Sequence, residues 1–340
     1  MKSTLDLKET AHNNAQVDRA IEAASRSVES LCHRRFYPTI GTRRFDWPGE
    51  QRAMPWRLWL GSNDLISVTS MTSGGTEIAA SDFFLRRSDD LDEPPYTRVE
   101  LDLDSSATFG RGSTHQRDIT ITGLWGYSQD ETNVGAVADG LDGSVTAIHV
   151  DGDTAAAVGV GSVLRLGSER LVVMERGTLT TAQALQWDLD ALDSEVTVTV
   201  TTGTSFTVGE TILLDSERML IVDIAGNSLT VIRAWDGSVL AAHSASTIYA
   251  YRALTVQRGA LGTPATTHSA GSAVYRWDAP GLVRDLAMAE AINTLLQGSA
   301  GYSGVSGSDN NRRRMSSPEL VVMRQAVYDA LGRKGRTGAI

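Results

Sequence analysis

TVIRAWDGSVLAAHSAS (230–246) and TVQRGALGTPATTHSAG (255–271) match at Arg233 and Arg258, at Gly237 and Gly262, and at the His-Ser-Ala that begins at His243 and His268. A catalytic constellation converges once, on one reacting atom, so a phrase written twice points to duplicated structural units. A second echo lies upstream. SVLRLGSERLVVMERG (162–177) matches ETILLDSERMLIVDIAG (210–226) through a shared Ser-Glu-Arg, Ser168-Glu169-Arg170 and Ser216-Glu217-Arg218, each followed by an apolar strand. The stretch 131–278 is rich in Val, Thr, Ala and Gly and shows no helical period. Each unit reads as strand, Ser-Glu-Arg turn, strand, turn and strand, which predicts hairpins closed into small barrels or sandwiches. The Arg-Gly-His phrase then reads as a second, shorter repeat at the end of this region.

Outward from the repeats the pattern changes. Over Asn14–His33, Val17, Ala20, Ile21, Ala24, Val28 and Leu31 recur at helical spacing and predict an amphipathic helix. His33, Arg34 and Arg35 place positive charge at its C-terminal end, where the helix dipole favours it, and Pro38 ends it. From Thr42 to Tyr127 short runs such as RRFDWP, WRLWLG, RVELDLD and DITITGLWGY predict strands. The alternation of Val99, Leu101 and Leu103, and of Trp56, Leu58 and Leu60, suits a sheet with one buried face. Helix returns over Pro280–Gln297, with Leu282, Leu286, Ala289, Ile292 and Leu296 as the expected apolar side. GSAGYSGVSGSDNN (298–311) reads as a flexible connection. The last helix starts at Ser316-Ser317-Pro318-Glu319 and carries Leu320, Met323, Val327 and Leu331 as a stripe among Arg312, Arg313, Arg314, Arg324, Arg333, Lys334 and Arg336.

The 340 residues, 41% hydrophobic and 21% charged, have the composition of a globular chain with a real core. The apolar runs are strand-sized and far short of the roughly 20 residues that cross a bilayer. MKSTLDLKETAHNN has no apolar segment of the kind secretion signals carry, so cytoplasmic synthesis is expected. One cysteine, Cys32, rules out an intrachain disulfide framework and reads as a small core residue. A net charge of -10 argues against tight wrapping of nucleic acid while allowing DNA to pass without sticking.

The chemistry of sites is thin. His243-Ser244 and His268-Ser269 lack a nucleophile elbow and read as structural turns. Ser-Glu-Arg reads as a solvated hairpin ion pair of small net value. The six histidines are scattered, no phosphate-cradling Gly loop precedes a Lys, and Asp151-Gly-Asp153 is too short for a calcium cage. No catalytic residue, metal or cofactor is expected.

Four segments, AIEAASRSVESLCHRRFYP (20–38), RRFDWP (43–48), DITITGLWGY (118–127) and PGLVRDLAMAEAINTLLQ (280–297), taken in order, resemble the head-tail connector (adaptor) proteins of long-tailed bacteriophages. The resemblance implies an α+β fold in which a helical connector core with a small β part (1–130 and 279–340) carries a large all-β insert of hairpin or small-barrel repeats (131–278). It also implies a ring of twelve copies beneath the portal protein, a channel through which DNA passes, and a platform for neck stopper or tail proteins in the virion neck. Its candidate portal-docking helix carries Leu320, Met323, Arg324, Val327, Tyr328 and Leu331. Its candidate subunit-contact helix carries Val17, Ile21, Ala24, Val28, Leu31, Arg34 and Arg35. The long β insert departs from the family's plain pattern. Two other readings compete: a carbohydrate-binding or host-surface module using Trp235 and Tyr249, and a tail-side protein such as a tail terminator.

Overall fold

The computed structural model describes residues 14–47, 54–87, 92–299, 305–306, 313–314 and 317–333. The chain divides into two units, one of Met1–Ala20 with Glu131–Asp278 and one of Ile21–Asp130 with Ala279–Ile340. Strand accounts for 38% and helix for 22%, so the expectation of a helical connector core with a small β part is overturned. The reason is local: the short runs between Thr42 and Tyr127 make two antiparallel sheets with a shared core of their own.

Helix α1 (Asn14–Cys32) buries Val17, Ala20, Ala24, Val28 and Cys32, a stripe at i+3 and i+4. Ile21, expected on that face, is 41% exposed. Strand β1 (Thr39–Phe45) pairs antiparallel with β7 (Ile119–Trp125), from Thr39 against Trp125 to Phe45 against Ile119. With β3 (Leu65–Ser73) and β4 (Thr76–Glu77) they make a four-stranded sheet in the order β1-β7-β3-β4. Strands β2 (Arg57–Trp59), β5 (Phe83–Arg86) and β6 (Arg98–Leu101) make a three-stranded sheet in the order β2-β6-β5. Leu58, Leu60, Leu65, Met71, Val99, Leu101, Ile119, Ile121 and Trp125 form the joint core. Val99 and Leu101 are buried as their alternation predicts, but Leu103 is 70% exposed. The strand stops at Leu101, and the Asp102 carboxylate accepts from the Asp104 N–H at 3.0 Å in a turn.

Helix α3 (Gly281–Ser299) buries Val283, Leu286, Glu290, Ala291 and Leu295. That face is rotated from the one expected, and Leu282 is exposed. The cause is Glu290, which occupies the buried stripe and there accepts from Arg324 Nε of α4 (Ser317–Leu331) at 2.7 Å. Counting apolar residues alone therefore puts the face out of phase.

The other unit is built from β8 (Glu131–Ala136), β9 (Ala147–His149), β10 (Val163–Leu166), β11 (Glu169–Ala184), β12 (Thr197–Thr199), β13 (Thr211–Leu214), β14 (Glu217–Ala225), β15 (Ser228–Ile232), β16 (Thr247–Gln257) and β17 (Ala273–Trp277), with a short α2 (Gly152–Ala157) after β9. They form one sheet in the order β12-β15-β14-β13-β16-β11-β10-β17-β8, with β9 also on β16. The sheet encloses two cores. One contains Ile148, Val150, Leu164, Leu166, Leu171, Val173, Leu254, Val256 and Val274; the other contains Val198, Val200, Ile212, Leu214, Met219, Ile221, Leu229, Val231, Ile248 and Ala250.

The cores belong to two copies of one repeat, and the second copy is nested inside the first. The β10–β11 hairpin of the outer copy corresponds to the later β13–β14 hairpin of the inner, whereas Arg258 and His268 of the outer copy correspond to the earlier Arg233 and His243 of the inner. The equivalence extends to single bonds. Val150 N–H donates to Arg252 O and Val200 N–H to Asn227 O, each at 2.9 Å. Arg170 N–H donates to Thr263 Oγ1 and Arg218 N–H to Ser238 Oγ, again both at 2.9 Å. The two sequence echoes are thus the leading and trailing halves of one duplication, not two serial repeats. The inner copy enters where Gly177 faces Ala253 in the β11–β16 ladder.

Candidate functional site

Each repeat is tied by one buried glutamate. Glu169 accepts from Arg258 Nε at 2.7 Å and Nη2 at 2.9 Å, from the Gly259 and Thr266 N–H groups at 2.9 and 3.0 Å, and faces His268 Nε2 at 2.9 Å. Glu217 repeats this set with Arg233 at 2.7 and 2.9 Å, the Ala234 and Ala241 N–H groups at 2.9 and 3.0 Å, and His243 Nε2 at 2.9 Å. Each arginine then donates to two carbonyls of a distant loop and one of the loop that follows it: Arg258 to Asp142 and Val145 and to Thr266, and Arg233 to Asp190 and Glu195 and to Ala241. Both carboxylates are fully buried. Burial alone pushes them up, but the guanidinium, the two N–H groups and the imidazole outweigh it and hold each at about 2.

Such a carboxylate is ionised at neutral pH and is already surrounded by donors, so it fastens the strand ends and is a poor general base. This corrects the expectation for Ser-Glu-Arg. The glutamates are not solvated, and their partners are not the adjacent arginines: Arg218 instead donates to Tyr251 Oη at 2.8 Å and to Asp236 at 3.1 Å. The histidines of the His-Ser-Ala phrases are the third member of each node, a role their turn-like sequence context hides.

In the other unit three of the four segments that carry the connector resemblance, 20–38, 43–48 and 118–127, meet at one junction. The Tyr127 N–H donates to Arg35 O at 3.0 Å, Phe36 and Tyr127 stack edge to face at 5.6 Å, and Arg34 lies 5.3 Å from the Tyr127 ring centre. Gly126, at φ 146°, is required, since a Cβ there would fall 2.5 Å from Tyr37 O. Trp125 Nε1 donates to Gly41 O at 2.9 Å under Arg43. Beneath lies Asp64, buried, with Arg333 Nη2 at 2.5 Å and Arg34 Nη1 at 3.5 Å. The Arg333 N–H also donates to Cys32 O at 3.0 Å, closing the end of α4 onto the end of α1. Burial lowers the Arg34 guanidinium from its ordinary value; Asp64 opposes this, and Arg333 and Arg87 add to it.

The helix residues singled out in sequence are divided by this arrangement. On α1, Val17, Ala24 and Val28 are buried, Leu31 is half-buried and Ile21 exposed; just past its end Arg34 is half-buried and Arg35 exposed. On α4, Val327 is buried, Leu320, Met323, Tyr328 and Leu331 are half-buried, and Arg324 is exposed on its pair with Glu290. Of the stripe expected to dock a partner, Val327 alone is fully buried, and the half-buried members keep part of their surface accessible. The apolar groups that α4 turns outward are Val321 and Val322, 60% and 68% exposed, which the stripe reading missed. Lys334, Arg336, Arg312 and most of the 298–311 connection lie outside the described residues. Among the described residues no group of three or more His, Cys, Asp or Glu could hold a metal ion, and no helix is long and apolar enough to cross a membrane.

Comparisons of the chain with protein-family models, curated proteins and solved structures return no match.

Proposed function

We propose that the chain is a structural adaptor of a tailed-phage neck, one of a ring of copies seated under the portal protein, with the nested β repeats as a decoration. The observation that carries this reading is convergence. The HRRFYP end of α1, β1 and the GLWGY end of β7 interlock at the Gly126 junction, and α3, the fourth segment of the resemblance, belongs to the same unit. Ring subunits meet through one heterologous surface repeated by rotation, and exposed apolar groups on terminal helices such as Ile21, Val321 and Val322 suit it. The outward Val321 and Val322 join the half-buried Leu320, Met323, Tyr328 and Leu331 as the contacts expected with the portal protein or a neighbouring copy.

Electron microscopy of particles assembled without this gene product tests the reading. Filled or emptied heads lying apart from normal-length free tails support a joining role. Joined particles that fail to adsorb overturn it and move the function to host recognition by the β repeats, where Tyr249 is partly exposed and Trp187 is the most exposed aromatic among the described residues. Truncation of residues 314–340 is expected to abolish attachment to the portal.

A further inference from the structure

The two repeats share a core but not a surface, and their equivalent bonds match the surface residue by residue. Ala138 N–H donates to His149 O at 2.8 Å and Gln186 N–H to Thr199 O at 3.0 Å, so Asp139 and Trp187 hold the same place. Val256 N–H donates to Thr146 O and Val231 N–H to Val196 O, both at 2.8 Å, which matches Thr146 with Val196 and Gln257 with Ile232. Thr263 and Ser238 receive the N–H that follows each node glutamate, which matches Pro264 with Val239. All these outer positions and their inner counterparts from Trp187 to Val239 are exposed, so burial does not dictate their chemistry. Yet where the outer copy has Asp139, Thr146 and Gln257, the inner has Trp187, Val196 and Ile232. The inner loop is also longer. Arg258 reaches the carbonyls of Asp142 and Val145, Arg233 those of Asp190 and Glu195, and the added chain carries the exposed Leu192.

These side chains gather at one end of the inner core. Arg233, next to Ile232, bonds Asp190 O, Glu195 O and Ala241 O, which brings the loops of Leu192, Val196 and Val239 together. Leu189, two residues after Trp187, pairs with His243 of the same node. Trp187 is 73% exposed and Val239 76%. The rim is acidic: the loop 186–196 carries Asp188, Asp190, Asp193 and Glu195 and no Lys or Arg. None of the four lies in an ion pair among the described residues, and Arg233 is taken up by Glu217. Val145 against Glu195 runs opposite to the other exchanges and adds a carboxylate to that rim.

We infer that this end of the inner repeat docks a basic protein partner, one that presents aliphatic groups among lysines and arginines. Apolar groups scattered singly over a surface need no explanation, but five around one node, three of them where the sister copy is polar, do. An apolar centre with a charged rim is the anatomy of a protein interface, and the sign of the rim selects a cationic partner. A neutral sugar fits poorly, since Leu192, Val196, Ile232 and Val239 offer its hydroxyls no hydrogen bond. Two copies joined through this same face would set carboxylates against carboxylates.

The test uses the full chain and a labelled helical peptide of leucine and lysine, read by fluorescence anisotropy. One control peptide has glutamate for lysine, another serine for leucine. The leucine-lysine peptide is expected to bind at least about tenfold more tightly than either control. Trp187→Asp, Val196→Thr and Ile232→Gln together install the residues of the outer copy. The thermal midpoint of this variant is expected to stay within about 3 °C of the parent, and binding to weaken about tenfold. Asp188→Asn with Asp193→Asn is expected to weaken the peptide about threefold and to flatten its dependence on salt. Undiminished binding in the triple variant, or equal binding of the serine peptide, overturns the apolar centre. Equal binding of the glutamate peptide overturns the choice of a basic partner. Self-association of the parent chain that the triple variant abolishes also overturns it and gives the face to a second copy. These readouts do not depend on whether the chain joins heads to tails.

Discussion

The outer and inner repeats are two solutions to one problem written in a single chain, and their comparison sorts what the fold demands from what it tolerates. Both keep the buried glutamate, the arginine that reaches loop carbonyls, the histidine, and a hydroxyl that receives the N–H of the residue after the glutamate. They differ at the tight turn before that glutamate. The outer copy has Gly167 at φ 55°, and the inner has Asp215 at φ 50°, whose carboxylate faces His243 Nδ1 at 2.7 Å. They differ also after the first strand, where the outer copy winds α2 and the inner makes one tight turn over Gly203–Ser205. The node is therefore structural necessity, and the turn residue is a local choice.

The largest effect is expected from removing the node. Glu217→Ala leaves Arg233 and His243 buried without their carboxylate, which costs about 3–5 kcal/mol, and amide exchange is expected to rise across Ile212, Ile221 and Val231 while Leu164 and Val173 stay protected. Glu169→Ala should invert that map. A uniform loss of protection from either change would show that the copies do not respond separately.

Acid is the next way to probe the pair. Both glutamates titrate near 2 in the fold, below the ordinary carboxylate value of 4.5. Their contribution is therefore complete above about pH 4.5 and is lost as pH falls toward 2. Denaturation midpoints measured from pH 6 to 2 are expected to fall in that window for both repeats, and Glu→Gln variants should flatten the fall in the copy that carries them.

A smaller effect is expected from excision. Replacing residues 178–252 with Asn-Gly joins Gly177 to its ladder partner Ala253 through a two-residue turn suited to a hairpin. The outer copy is expected to keep a cooperative thermal transition within several degrees of its original midpoint. A molten product with no transition would mean the outer core needs the inner one.

The smallest effect belongs to the turn. Asp215→Gly relieves a left-handed residue while losing the part-buried contact to His243 and the hydrogen bond from Ser246 Oγ, and a net change within about 1 kcal/mol is expected in chemical denaturation. The reciprocal Gly167→Asp should cost up to about 1 kcal/mol.

Much of this is legible in the sequence, though unevenly. Local periodicity places α1 correctly because Val17, Ala24 and Val28 report directly on burial. It misplaces Ile21, since a stripe one residue too wide fits the same 3.6 spacing. The repeats are visible, but their nesting is not. A leading half displaced forward, from Glu169 to Glu217, and a trailing half displaced backward, from His268 to His243, look like unrelated echoes until both are seen in one sheet. Long-range partners are hidden altogether. Asp64 meets Arg333 across 269 positions, and Glu169 meets His268 across 99, distances at which neither periodicity nor spacing carries a signal. Glu290 shows the converse, a polar residue on a buried face whose reason lies on another helix.

The nested insertion also sets an order of events at the ribosome. When the β10–β11 hairpin has emerged, the strands that complete its core, the second half of β16 and β17, are still untranslated. The inner copy, whose strands all lie between the two halves of the outer, can close first. Its closure holds the far ends of β11 and β16 in register, so the outer copy then needs only to zip a ladder already started, and the entropy of closing a long loop has been met beforehand. In this chain the later-made domain is the clasp that lets the earlier one finish.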